Sequence, residues 1–160
     1  MKLISKHFIS NLQTTIELAV PETTEEWHDY YNVRYEVLRK PWGKPESSVH
    51  VEDDDKAIHY CLSHKNEIIG VCRLHFNSIT EGQIRFLAVK KEWQNHQLGD
   101  ILLKYSEELC IKNNATTLFF QARENAVPFY LRNGYHIIEK THLLFGQIQH
   151  FSMRKSLTGE

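Results

Sequence analysis

No stretch of this sequence approaches the roughly 20 consecutive apolar residues that cross a bilayer. The opening MKLISKHFIS has neither the long apolar centre nor the small-residue cleavage site of a signal peptide. No membrane partner and a cytoplasmic location are therefore expected. Cysteine is sparse: Cys61, Cys72 and Cys110 are odd in number and have no C-x-x-C spacing. That argues against a disulfide framework or zinc knuckle and leaves small core hydrophobes of a reducing compartment. An excess of positive charge is also missing, with 19 Lys plus Arg against 20 Asp plus Glu. Without a basic stripe, nucleic acid is not an expected partner. Ten histidines are present, but no pair falls in an H-E-x-x-H or similar ligand frame, so no metal is expected. Repeats, low-complexity tracts and heptads are lacking as well.

The 160 residues, 41% of them apolar, fit one globular domain over 1–160 with a core of its own. Thr23 followed by Glu26 is a capping-box start, and Trp27, Tyr30, Tyr31, Val33, Val37 and Leu38 continue it as a helix. The stretch KPWGKPESSVHVEDDDK reads as a loop carrying Trp42. Its acidic run, Glu52 to Asp55, is either a solvated turn or a rim that attracts a cationic substrate. AIHYCLS and IIGVCRLHFNS alternate as a hairpin across Lys65, Asn66 and Glu67, and GQIRFLAVK is the next strand. A helix is expected from about Leu98 to the asparagines at 113 and 114, with its stripe at Leu98, Ile101, Leu102, Tyr105 and Leu109. TTLFFQA is a short strand, RENAVPFYLRN a short helix with Pro128 near its start, and Gly134 its left-handed cap. Strands at about 135–138 and 150–155 close a mixed α/β sandwich.

Between Val89 and Leu98 a strand gives way to a helix whose first N–H groups have no partner within the helix and point outward together. With the helix dipole, that is an anion site. Gly99 is the one glycine there, and glycine allows a phosphate to approach the backbone.

Gln94, Asn95, His96, Gln97, Leu98 and Gly99 resemble the acetyl-CoA loop of the GNAT N-acetyltransferases, which reads Arg or Gln, x, x, Gly, x, Gly or Ala. Gln97 stands where the family has its first glycine. IRFLAVKKEWQ and ARENAVPFYLRNGY are similar to the family's lead-in strand and its later Phe-Tyr segment. YNVRYEVLRKPWGKP and FGQIQHFSMRK resemble a bacterial subgroup of stand-alone proteins and acetyltransferase halves of GNAT–thioesterase fusions. The resemblance implies an α/β GNAT fold with a mixed, mostly antiparallel central sheet flanked by helices. It also implies an acetyl-CoA-dependent N-acyltransferase acting on a small-molecule or peptide amine by direct attack in a ternary complex.

Residue by residue, the resemblance puts the pyrophosphate on the N–H groups from Asn95 to Asp100, beside Gln94, and pairs the pantetheine with Leu87, Ala88 and Val89. Arg123 and Phe129 join the cofactor set, and Tyr130 matches the tyrosine facing the thioester sulfur, a general acid for the thiolate. Asp100 suits the helix dipole but repels a pyrophosphate. Gln83 occupies the position where some members have a glutamate base, and an amide cannot take the proton. His75, Glu81 and His150 are the remaining base candidates, though alignment alone can drive attack by a neutral amine. Arg34, Trp42, Arg73 and Gln83 are the candidate acceptor contacts, although for Arg73, as for Arg85, a neighbouring carboxylate is the preferred explanation and an anchor for an acidic group on the acceptor the alternative. A CoA-binding sensor or interaction module without turnover is the competing class. Exposed residues near the end of the chain make a homodimer an option.

Overall fold

The computed structural model describes residues 1–158. Its strands are β1 (Lys2–Ile9), β2 (Thr14–Val20), β3 (Ile58–His64), β4 (Glu67–Phe76), β5 (Glu81–Val89), β6 (Thr117–Arg123), β7 (His136–Leu144) and β8 (Ile148–Ser156). The helices are α1 (Thr24–Leu38), α2 (Leu98–Lys112) and α3 (Val127–Arg132). One mixed sheet runs β1-β2-β3-β4-β5-β6-β8-β7, with β5 and β6 parallel over Glu81–Gln83 and Thr117–Phe119. The chain divides into two compact units, Met1–Leu74 with Phe86–Lys104, and His75–Arg85 with Tyr105–Glu160.

In the first unit, β1 and β2 form a hairpin that the sequence reading assigned to no element. Its turn has no glycine, and the left-handed position is taken by Gln13 at φ 51. β1 also buries little, whereas β2 supplies Ile16, Leu18 and Ala19 to the core. The α1 cap is as expected: Thr23 Oγ1 accepts from the Glu26 N–H at 3.1 Å, and Glu26 Oε2 accepts from the Thr23 N–H at 3.1 Å. Arg34 nevertheless joins Tyr30 and Val33 on the buried face, for a reason that the site supplies. The β3–β4 turn has Lys65 and Asn66 at φ 49 and 68, the two positive values of a two-residue type I′ hairpin. Ile68 to Leu74 is buried without interruption, so alternation along β4 does not separate a wet face from a dry one. Tyr30, Val33, Cys61, Ile68, Val71 and Ala88 pack together with Ala19, under Trp27, Tyr31, Val37 and Leu38.

In the second unit β6 is the short strand expected, its burial alternates, and its Phe120 ring centre lies 3.8 Å from that of Tyr130 and 4.9 Å from that of Tyr135. Tyr135 donates to Glu107 at 2.8 Å, and Lys155 joins the same carboxylate at 3.1 Å. Pro128 sits in the first turn of α3, and Gly134 follows its end at φ +87. β7 and β8 run further than predicted because Phe145 and Gly146, both at positive φ, close them as a hairpin.

The α2 residues below 2% exposure are Leu98, Leu102, Leu103, Ser106 and Cys110, a stripe that shares Leu98 and Leu102 with the expected one and replaces Ile101, Tyr105 and Leu109, which are half-buried. Ser106 and Cys110 are small and weakly polar, so an apolar pattern passes over them. All three cysteines are fully buried, and burial pushes the Cys61 and Cys110 thiols up to about 12. They serve as the core hydrophobes expected of them.

Removing the α1 cap by Thr23→Ala is expected to cost about 1 kcal/mol, read from urea denaturation. Added to Glu26→Ala, it should cost less than the sum of the two single changes, since both break one reciprocal box.

Candidate active site

The loop after β5 is built by local hydrogen bonds. Lys90 N–H donates to the Ile69 carbonyl at 2.8 Å, a 3₁₀ turn spans Lys91–Trp93, and the Gln94 side chain donates back to the Val89 carbonyl at 2.8 Å. Gln94 is thus a brace that ties the loop to the strand. The chain then turns left-handed twice, at Asn95 (φ 67) and Gln97 (φ 63), before Leu98, 1% exposed, anchors the start of α2. Gly99 lies inside the first helical turn, and the left-handed work expected of it falls to those two exposed residues. The cost at Gln97 is about 1 kcal/mol and less at Asn95, whose side chain tolerates that region. His96, Gly99 and Asp100 are half-buried beside the helix start.

Upstream, β5 holds Leu87, Ala88 and Val89 next to Phe86, which is itself at φ 57. Arg34 places its guanidinium 4.2 Å from the Phe86 ring centre. This arginine was a candidate acceptor contact, which the structure corrects, and for Arg73 the structure bears out the other expectation, a neighbouring carboxylate, over an acceptor contact. Each is fully buried and engaged by aspartate: Arg34 Nη1 lies 2.8 Å from Asp54 Oδ2, and Arg73 lies 2.6 Å from Asp54 Oδ1 and 3.0 Å from Asp53 Oδ2. Burial charges inside a protein demands such partners. Burial pushes the Asp54 carboxyl up, but hydrogen bonds from Arg34 and Arg73 outweigh it and hold the group below its usual range. The acidic run is therefore neither of the two things expected of it as a whole, because Asp54 is interior while Glu52 and Asp55 stay exposed.

His59 completes the cluster. Its Nε2 donates to the Asp54 carbonyl at 2.6 Å, which leaves Nδ1 as the acceptor facing the Tyr30 hydroxyl at 2.9 Å and Arg34 at 3.5 Å. Burial lowers its pKa below 6.5, against the pull of the Asp54 carbonyl. The Tyr30 phenol, also buried, is raised well above its ordinary value. Beside this cluster opens a cavity of about 680 Å³ lined by Trp27, Tyr31, Glu52, Asp54, Asp55 and His59, among others. Asp54, His59, Tyr30 and Phe86 had no signal as site residues; nothing in a run of three aspartates says which one turns inward. Trp42 is 37% exposed on the 3₁₀ turn Lys40–Trp42.

The second unit carries the other candidates. Tyr130 is 7% exposed, with Phe129 edge-on at 4.9 Å and Tyr135 at 6.0 Å. Arg123 ends β6 opposite His150 of β8. His150 is buried, donates through Nδ1 to the Ile148 carbonyl at 2.9 Å and stacks on His142 at 4.3 Å. His75, Glu81 and Gln83 meet around Asn77, which bonds His75 at 3.0 Å, Glu81 at 3.0 Å and Gln83 at 2.9 Å. Among the described residues no group of three or more His, Cys, Asp or Glu is arranged to hold a metal ion, and no helix is long and apolar enough to cross a membrane.

Residues 20–157 match the family model of the acetyltransferase (GNAT) domain. The chain belongs to the GNAT acetyltransferase family. An uncharacterized N-acetyltransferase, YjcF of Bacillus subtilis, is 24% identical over 140 residues, covering 88% of this chain and 99% of that one. The structure is similar to that of a putative N-acetyltransferase from Lactobacillus plantarum, with a TM-score of 0.78, 18% identity and coverage of 89% and 98%. It is also similar to an aminoglycoside 6'-N-acetyltransferase complexed with coenzyme A, with a TM-score of 0.74, 14% identity and coverage of 91% and 98%. The GNAT fold, its mixed and mostly antiparallel sheet flanked by helices, is thus the one the resemblance implied.

Because His59 keeps its proton off in the folded state down to lower pH than in the unfolded chain, the unfolded state binds more protons below about pH 6.5. Stability should therefore fall on acidification through that region, while the contribution of Asp54 persists until pH drops below the usual carboxylate value. Thermal melts at about pH 7.5 and about pH 5.5 should show a smaller drop for His59→Gln than for the native chain. Equal drops would remove His59 as the responsible group.

Proposed function

We propose that residues 1–160 act as one acetyltransferase domain, transferring an acetyl group from acetyl-CoA to an amine of a small molecule or peptide by direct attack in a ternary complex. The observation that carries this reading is the braced loop between Val89 and Leu98. Gln94 fastens it, Asn95 and Gln97 turn it, and the N-terminus of α2, with its dipole, follows. The N–H groups from Asn95 to Asp100 take the pyrophosphate, and the backbone of Leu87, Ala88 and Val89 pairs with the pantetheine. Both the membership of the GNAT family and the likeness to an acetyltransferase complexed with coenzyme A support this cofactor.

The acceptor nitrogen, in its neutral form, attacks the thioester carbonyl carbon. As the C–S bond breaks, the CoA thiolate takes a proton from the Tyr130 phenol, and the proton on the new amide nitrogen passes to water. Gln83 offers no base, and its amide oxygen already accepts from Asn77. Alignment of the amine with the thioester then supplies much of the rate. An amine with an apolar body suits the cavity walled by Trp27 and Tyr31, where the exposed carboxylates of Glu52 and Asp55 attract its protonated form, and the reacting nitrogen gives that proton to water before it attacks.

Calorimetric titration with acetyl-CoA and with free CoA tests the cofactor. Micromolar binding by the native chain is expected, with Gln97→Gly binding at least as tightly; no binding that glycine restores would mean that Gln97 closes the cradle and would remove the enzyme reading. In an amine screen followed by thiol release, Tyr130→Phe should bind acetyl-CoA as the native chain does but turn over about a hundredfold more slowly. Unchanged turnover would eliminate Tyr130 as the acid, and binding with no transfer to any amine would favour a CoA sensor.

A further inference from the structure

Phe86 adopts φ 57 in the interior of β5. The other non-glycine residues at positive φ, Gln13, Lys65, Asn66, Asn95, Gln97, Asn114 and Phe145, all lie outside helices and strands among the described residues. A bulky L-residue resists this conformation, so it persists in a strand only where the surroundings over-determine it. The surroundings here are two guanidinium groups: Arg34 lies 4.2 Å and Arg39 5.4 Å from the Phe86 ring centre. Arg34 is itself immobilised, through Asp54 at 2.8 Å, the Val49 carbonyl at 3.0 Å and the Tyr30 hydroxyl at 3.3 Å. Asp54 is in turn held by Arg73 of β4.

We propose that the buried Arg34–Asp54–Arg73 assembly is a positioning device for β5: it sets the Arg34 guanidinium over the Phe86 ring, keeps that residue left-handed, and thereby fixes how the backbone of Leu87, Ala88 and Val89 is presented to acyl-CoA. The proposal deepens the acetyl-CoA reading and rests on it. A left-handed residue within a strand rotates the peptide planes that follow it, as in a bulge, and re-aims their N–H and C=O groups. An arginine suits this place because its forked guanidinium sits over the ring while Nη1 and Nη2 serve Asp54, Val49 and Tyr30 at once; a lysine offers a point charge. Tyr30 and His59 stand beside Arg34 Nη2 at 3.3 and 3.5 Å and restrict how the guanidinium turns, while the buried Arg34 Nε is left without a hydrogen-bond partner. None of these side chains needs to touch the reacting atoms.

The test uses Arg34→Lys, which keeps the charge beside Asp54, and Phe86→Leu, which keeps the bulk and the ion network but removes the aromatic face. Ile16→Val, a trimmed core residue of β2 outside the network, is the control for lost stability alone. Melting by circular dichroism, hydrogen exchange of the amides from 87 to 90, and calorimetry with acetyl-CoA are measured on each. Both network variants should exchange faster in that segment and bind acetyl-CoA at least about tenfold more weakly, the scale of lost pre-organisation. Their combination should be no weaker than the worse single variant, since both remove one contact. Variants that melt earlier, like Ile16→Val, but retain native exchange in the segment and native affinity would overturn the proposal. Should Arg34→Lys fail to fold, Phe86→Leu alone decides. Should the native chain bind no acetyl-CoA, the cofactor reading fails separately, and exchange in the segment still decides whether the guanidinium holds β5.

Discussion

One carboxylate, that of Asp54, determines much of the first unit. It receives Arg34 from α1 and Arg73 from β4, while its own backbone carbonyl accepts from His59 at the start of β3. Taking two guanidinium groups and an aspartate out of water is expensive, and their attraction repays it only when geometry and hydrogen bonding are good. Asp53 supplies the second negative charge, so two cations meet two anions. Breaking such a set from one side costs about 3–5 kcal/mol, because it strands a buried charge. A set of apolar residues could hold the same elements together, but it would not dictate one orientation for Arg34. The network therefore contributes definition of geometry more than stability, and Phe86 is where that definition reaches the strand.

The distribution of backbone strain follows the same logic. Hairpin turns and the end of α2 use left-handed residues where any fold needs them, at Gln13, Lys65, Asn66, Asn114 and Phe145. Phe86, Asn95 and Gln97 are different, for they concentrate on one strand and the loop it enters. Each costs about 1–3 kcal/mol unless the side chain is as tolerant as that of asparagine. A fold that needed only to connect β5 to α2 could have done so without them. Their shared effect is on backbone direction, on which the proposed binding of acetyl-CoA through the N–H groups of the loop depends.

Much of this architecture was legible in the sequence because its signals are local. The capping box at Thr23 and Glu26, the turn at Lys65 and Asn66, Pro128 at the head of α3 and Gly134 beyond its end each act within a few residues, and each appears where the pattern put it. The β1–β2 hairpin escaped because its turn has no glycine and β1 buries almost nothing. Arg34 and Arg73 were harder for a different reason. A carboxylate partner was expected for Arg73 and none was named for Arg34, and only the fold shows that the shared partner is Asp54, twenty residues from one and nineteen from the other. A pairing of that kind has no period and no fixed spacing, so a single sequence does not display it.

The loop shows the same limit from the other side. Its motif could be aligned from the order of residues, yet the division of labour inside it could not. Glycine was the residue expected to supply freedom of the backbone, and the left-handed positions instead belong to Asn95 and Gln97, whose side chains are exposed. Gln94 looked like a cofactor contact and is occupied in closing the loop on Val89. A loop whose shape is held by its own side chains can depart from glycine without losing its geometry, provided the departing side chains point to solvent. That condition is a property of the folded backbone, and it separates a changed motif from a lost one.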